Sequence, residues 1–265
     1  MKRAYLLDPF AGHSQNASFG AILSAYAMGL LLLPTWPLPN RWLDTHTLNG
    51  ASWTLLQEYL ANLAYALFVR KLATRTIGIL AILSGVVLFA CGVGIGTLDR
   101  GYAWDNLWMA PVRLCFPFLT GLWLYRVKER LPRVGIGYLP LTLILVIAFA
   151  APRLPTAGGV AWNGVYEALC VLLLFPCIVV AGAHSNAGHG MARLCKVSGR
   201  LSYPLYITHF PFLYIWGNFV ANEPASTATL VATAIALVPF ELLVACASYV
   251  LWDVPIRSHL RRRTA

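Results

Sequence analysis

The stretch TIGILAILSGVVLFACGVGIG (76–96) decides the fold class, because twenty-one residues pass without one charged side chain. A helix needs roughly 20 apolar residues to cross a hydrocarbon core of about 30 Å. Seven further apolar runs accompany it, at about 17–36, 53–70, 107–125, 134–151, 162–183, 201–221 and 227–252. Pro34 and Pro37 close the first run early, so seven to eight spans are expected. No segment alternates with period two, which excludes a strand-built barrel. The expectation is an all-α, polytopic transmembrane helical bundle. No linker, repeat or low-complexity segment divides it, so residues 1–265 form a single domain.

Composition agrees. Of 265 residues, 58% are hydrophobic and only 11% are charged, with mean hydropathy +0.66. A soluble globule carries about 25% charged residues. The net charge of +10 does not point to nucleic acid, since the basic residues fall in short groups between apolar runs rather than on one groove-reading element. That spacing encodes membrane topology. Sixteen of the twenty basic residues fall on the side that holds the N-terminus and three on the other, with Arg113 inside a span. Both termini are therefore expected in the cytoplasm, with the chain in the plasma (inner) membrane. Lys2 and Arg3 precede a polar stretch rather than an apolar run, so the start is no signal peptide. The six cysteines include no CxxC pair and read as packing residues. His184 and His189, in HSNAGHG, lack a nearby carboxylate or thiolate, so no metal site is expected. Gly92, Gly94 and Gly96 match a nucleotide loop only by spelling; in an apolar span they predict close helix packing.

Ionisable residues within spans cost roughly 2.5–3.5 kcal/mol each on insertion scales, so each needs a partner or a purpose. Five stand out: Glu58, Arg113, Glu167, His209 and Glu241. Glu58, Arg113 and Glu167 each follow a tryptophan (Trp53, Trp108, Trp162) by five residues. If those tryptophans mark the outer interface, the three charges lie about 7–8 Å beneath it. Two carboxylates and a guanidinium at one depth predict a polar pocket opening outward, with Glu58 and Arg113 paired. Thr54, Glu58, Asn62 and Tyr65 form one polar helical stripe that must face protein or water. Pro117 and Pro211 leave the carbonyls of Arg113 and Ile207 without their helical donors. His209 lies near mid-membrane, with Tyr203 and Tyr206 at three-residue steps before it, and a neutral imidazole can act as general base.

Several stretches together resemble the acyltransferase-3 family of integral-membrane acyltransferases. LNGASWTLLQEYLANLAYAL (48–67) is similar to the family's Asn-Gly-x-x-Trp-Ser-Leu-x-x-Glu segment, with Thr54 in place of serine and Glu58 on the glutamate. GRLSYPLYITHFPFLYIW (199–216) resembles the late Ser-Tyr-x-Leu-Tyr-x-x-His-x-Pro signature. YVLWDVPIRSHLRRR (249–263) is similar to the closing helix, with Asp253 where glutamate is usual. APVRLCFPFLTGLWLYR (110–126) fits the arginine-bearing helix.

The resemblance implies transfer of a short acyl group from cytoplasmic acyl-CoA to a hydroxyl of a carbohydrate or glycolipid acceptor, as in O-acetylation of surface polysaccharides. It implies no bound cofactor; acyl-CoA is the donor substrate. His209 and Glu58 are the candidate catalytic residues. Asn49, Trp53, Arg113, Glu167, Tyr203 and Tyr206 are the candidate substrate-binding residues. The expected partners are acyl-CoA, the acceptor and the lipid bilayer, with no nucleic acid. The family usually begins with a helix bearing an arginine and a histidine about three turns apart. No segment before residue 40 fits, and His13 has no matching arginine. The expectation is an N-terminally truncated member that shows no acyl transfer by itself. The alternative from another class is a non-enzymatic channel or carrier for a glycan or lipid intermediate, using the same buried charges.

Overall fold

Each long apolar run becomes a helix in the computed structural model, which describes residues 17–264 apart from 40, 42, 133, 184 and 186–188. Among the described residues there are eight helices. They are α1 (Phe19–Leu30), α2 (Ser52–Leu67), α3 (Thr74–Ile95), α4 (Met109–Val127), α5 (Tyr138–Ala150), α6 (Trp162–Ala183), α7 (His189–Asn222) and α8 (Thr227–Thr264). A π turn interrupts α6 at Cys170–Leu174 and another interrupts α8 at Tyr249–Asp253. The all-α expectation holds, with one small addition. Thr156–Ala157 and Val160–Ala161 pair as a two-stranded antiparallel hairpin, which the alternation test was too coarse to detect. Gly158 and Gly159 form its turn with φ of 60° and 74°, the left-handed pair that a tight two-residue hairpin requires.

Among the described residues, three helices are long and apolar enough to cross a membrane: Thr74–Ile95, Trp162–Ala183 and the apolar part of Thr227–Arg262. α1 and α5 are apolar but shorter. α2 carries its polar stripe, α4 holds Arg113 and Arg126, and α7 begins in a basic stretch. The chain is a membrane protein, and its surface shows this directly. On α3, Ile77, Ala81, Gly85, Leu88 and Gly92 are buried, whereas Ile79, Ile82, Leu83 and Val86 are exposed. An exposed aliphatic face on an apolar helix is a lipid face.

The chain divides into two compact units, residues 1–56 with 190–265 and residues 57–189. In the first unit, α7 packs on α8. The Trp216 indole donates to Thr233 Oγ1 at 3.2 Å, and Phe212 meets Phe240 edge to face at 5.0 Å. In the second unit, Leu88, Leu98, Met109, Phe116 and Ala168 form the core from α3, α4, α6 and the loop after α3. α3 and α6 approach most closely at Gly92 and Gly164. A Cβ on Gly164 would stand 2.7 Å from the Gly92 carbonyl carbon. Of the glycines expected to pack, Gly92 sits at the crossing and Gly96 closes the helix with φ of 84°, whereas Gly94 faces open space. Arg126, at the far end of α4, donates to the Leu72 and Arg70 carbonyls at 2.5 and 3.2 Å.

Candidate functional site

Within the first unit, two of the motif stretches meet. The Asn49 amide donates to the Ile207 carbonyl at 2.8 Å. This is the carbonyl that Pro211 deprives of its helical donor, so the asparagine supplies from outside what the proline removes. Two residues further along α7, His209 directs Nδ1 at the carbonyls of Tyr206 (2.8 Å) and Leu205 (3.1 Å). Carbonyls only accept, so Nδ1 carries a proton directed at both. The imidazole lies between the Tyr206 and Phe210 rings. Tyr206 OH donates to the Ala51 carbonyl at 3.2 Å and shares a short hydrogen bond with Thr54 Oγ1. Gly50 lies flat against the Phe210 ring, which any Cβ there would overlap. Asn49, Thr54, Tyr206 and His209 are therefore brought together, and Trp53 sits half-buried at the start of α2 beside them in sequence.

Beneath this junction lies a polar assembly that the sequence reading missed. Thr35, Arg41, Asp44, Thr45, His46 and Thr47 are all buried, although they belong to a loop. Thr35 Oγ1 is bonded to Thr47 Oγ1 (3.0 Å) and donates to the Thr45 carbonyl (3.2 Å). His46 Nε2 donates to the Leu32 carbonyl at 3.2 Å, so Nδ1 accepts from the Thr45 hydroxyl at 3.1 Å. Burial lowers the His46 pKa and outweighs the Leu32 bond that raises it. Leu32 itself has φ of 57°. Its N–H bonds Gly29 and the next N–H bonds Met28, so a leucine occupies the left-handed closing position of α1 where glycine is usual. Arg41 lies over the Tyr214 ring at 4.2 Å, and Tyr214 OH donates to Asp44 Oδ2 at 3.4 Å. Burial pushes the Asp44 carboxyl up to about 6, against the lowering effects of Tyr214 and Arg41. The available signal was RWLDTHT (41–47), too dense in polar groups for a plain connection.

The second unit holds a polar pocket, with a change of partner. Arg113 and Glu167 line one cavity of about 310 Å³, together with Asp99, Arg153 and Asn163. A neighbouring cavity of about 410 Å³ shares Asp99, Arg153 and Asn163 and adds Arg100 and Tyr102. Glu167 is fully engaged: Oε2 accepts from Leu98 N (2.5 Å) and Thr97 Oγ1 (3.0 Å), and Oε1 from Asn163 Nδ2 (2.7 Å). Arg113 Nη1 donates to the Arg100 carbonyl at 2.5 Å. The expected Glu58–Arg113 pair is corrected here. Glu58 is exposed, and its carboxylate bonds to none of the described residues. Equal spacing from a tryptophan says nothing of direction around each helix, and Glu58 lies on α2 beside exposed Tyr59 and Leu60. The stripe splits accordingly: Thr54 meets Tyr206, whereas Asn62 and Tyr65 are exposed. Asp99, Arg100 and Arg153 join these cavities from loops.

The remaining expectations scatter. Tyr203 lies away from His209 in function, lining a different cavity with Arg200 and Asp253. Glu241 buries Oε1 without a hydrogen bond from a described residue. His13 and His184 lie outside the described residues.

No curated protein and no solved structure matches the chain. The family model described as an acyltransferase domain, Acyl_transf_3, matches residues 5–251. It thus takes in α1 and the buried loop, which precede or border the stretches that carried the motif resemblance. A match of that length, over a chain whose Asn49 and His209 segments meet as motif partners, means that the protein belongs to the acyltransferase-3 family.

Proposed function

We propose that the chain transfers a short acyl group from acyl-CoA to a hydroxyl of a carbohydrate-like acceptor, as in O-acetylation of a surface polysaccharide. This goes against the expectation from the motifs of a member inactive by itself; the family match over residues 5–251 supports an active transferase. The observation that carries the proposal is the orientation of His209, whose Nδ1–H is taken up by the Leu205 and Tyr206 carbonyls and leaves Nε2 as the nitrogen open to an acceptor hydroxyl. Nε2 takes the proton of the acceptor hydroxyl as its oxygen attacks the thioester carbonyl. The new C–O bond forms, the C–S bond breaks, and the leaving CoA sulfur recovers a proton. Asn49 and Tyr206 hold the helix segment that presents the imidazole, and Trp53 borders the same motif. Glu58 serves as the second catalytic group, its carboxylate being uncommitted to any described residue. The Arg113–Glu167 pocket suits a polyhydroxylated acceptor, since a guanidinium and fixed amide and hydroxyl groups read sugar hydroxyls at little entropic cost. The reading includes seven to eight spans, with α2, α4 and α7 crossing despite their polar residues. It also includes a plasma-membrane location with both termini cytoplasmic, supported by the uneven distribution of basic residues.

The test is transfer of labelled acetyl from acetyl-CoA to a panel of oligosaccharides by the chain reconstituted in liposomes. Label is expected on a sugar hydroxyl, and His209→Gln should abolish it while leaving a folded, monodisperse protein. Transfer that persists undiminished in His209→Gln would remove the histidine from the mechanism. No transfer to any acceptor would sink the activity.

A further inference from the structure

The first unit contains another cavity, of about 430 Å³, between the early part of α7 and the end of α8. Its lining includes Arg200 from α7, Arg257 and Arg261 from α8, the phenols Tyr203 and Tyr249, and one carboxylate, Asp253. Three guanidinium groups and one carboxylate therefore line one hollow. The arginines are exposed, so water screens their mutual repulsion and leaves the hollow open to an anion. The local backbone serves this convergence. α8 passes through its π turn over Tyr249–Asp253 immediately before the two arginines. A π turn inserts one residue into the helical register and so rotates the following face by about 100°. From its last residue onward, Asp253, Arg257 and Arg261 follow at four-residue steps along one face. Asp253 does not neutralise the site: its Oδ1 reaches only Nε of Arg257, at 2.8 Å, on a side chain 60% exposed.

We propose that this cavity binds a phosphate-bearing anion through Arg200, Arg257 and Arg261. Guanidinium forks match the paired oxygens of a phosphate, and two phenols at the wall can donate to the rest. A volume of about 430 Å³ falls in the range of small-ligand sites and accepts a diphosphate or a phosphomonoester with part of its carrier. Two sources offer that chemistry: a soluble diphosphate such as that of CoA, or the headgroup of an anionic phospholipid. The proposal is independent of acyl transfer, since a chain without transferase activity would still bind the anion.

The full chain in nanodiscs of phosphatidylcholine is titrated with inorganic pyrophosphate and with CoA by calorimetry, and phosphatidylglycerol retained by the purified protein is counted by native mass spectrometry. Saturable binding of at least one probe is expected. Arg200→Gln and Arg257→Gln should each weaken it about tenfold, the loss of one charge-assisted contact. Asp253→Asn should tighten it severalfold by removing the competing carboxylate, a gain that misfolding cannot mimic. Binding of pyrophosphate and CoA that is unchanged when phosphatidylglycerol enters the disc identifies the soluble source. Arginine-dependent retention of phosphatidylglycerol, or displacement of the soluble probes by it, identifies the lipid. The proposal is overturned if neither probe nor lipid binds. It is equally overturned if binding is the same in the arginine variants and in Asp253→Asn as in the native chain.

Discussion

The most buried side chains of the first unit include Thr35, Thr45, Thr47, His46 and Arg41, whereas those of the second are Ile77, Leu88, Met109 and Ala168. One unit has a polar interior held by hydrogen bonds; the other has an apolar interior held by shape. The difference lies in what can be left unsatisfied. A buried hydroxyl or guanidinium without a partner costs several times what a bond contributes, so the polar loop works only as a connected set. Glycine and methyl groups carry no such debt, and their contacts fail only when volume changes. The motif junction with His209 sits in the unit whose geometry is directional. The polar pocket sits at the rim of the unit packed by shape, where polar groups begin.

If this contrast is right, volume should matter most in the second unit. Gly164→Val would drive a side chain into the Gly92 backbone and should cost about 3 kcal/mol or more. It should appear as a large fall in melting temperature in detergent. Gly94 has open space around its Cβ position, so Gly94→Ala should leave stability equal or higher. Equal losses for the two would break the comparison.

In the first unit, charge rather than volume should dominate. Asp44 titrates near 6 when folded, against an ordinary 3.8. Its burial penalty is therefore absent below about pH 4, grows as pH rises and is complete above 6. Asp44→Asn carries no such penalty. It should be more stable than the native chain at pH 7.5 by on the order of 2 kcal/mol, an advantage that disappears by pH 4. Protonation of His46 at low pH weakens both proteins alike and cancels in the difference. A pH-independent gap between the two unfolding curves would mean that the carboxyl is not desolvated.

Next in size, His46→Ala strips the Leu32 carbonyl and the Thr45 hydroxyl of partners and should cost about 1–3 kcal/mol. The loss should come with faster hydrogen exchange around residues 32–47. Smallest is Asn49→Ala, which uncovers one carbonyl at the Pro211 step for about 1 kcal/mol. Its sharper readout is weakened activity without loss of fold, because the Ile207 carbonyl sits two residues from His209.

Much of the architecture was legible in one dimension. Runs of apolar residues read as helices because lipid leaves the backbone no other way to satisfy its donors and acceptors. The orphaned Ile207 carbonyl was legible too, since proline chemistry is local. Arg113 and Glu167 share a pocket, as their matched spacing from Trp108 and Trp162 predicts. Azimuth was not legible. A helix turns about 100° per residue, and which side faces a neighbour depends on packing that no local pattern records. This is why Glu58 points away from the partner assigned to it, and why Tyr203 lines a cavity with Arg200 rather than serving His209. The buried loop was hidden for a related reason: polar residues in a connection normally face water, and only the fold determines that these do not.

By itself, then, the sequence determined that this is a helical membrane protein of the acyltransferase-3 family, with a glycine-packed apolar core and a histidine set among its motifs. These follow from composition, periodicity and covalent chemistry, which are properties of neighbours along the chain. The tertiary structure alone decided that Asn49 replaces the donor Pro211 lacks, and that Asp44 sits away from water. Each depends on atoms more than a hundred residues apart being held within a hydrogen bond's reach, or on burial that such contacts create.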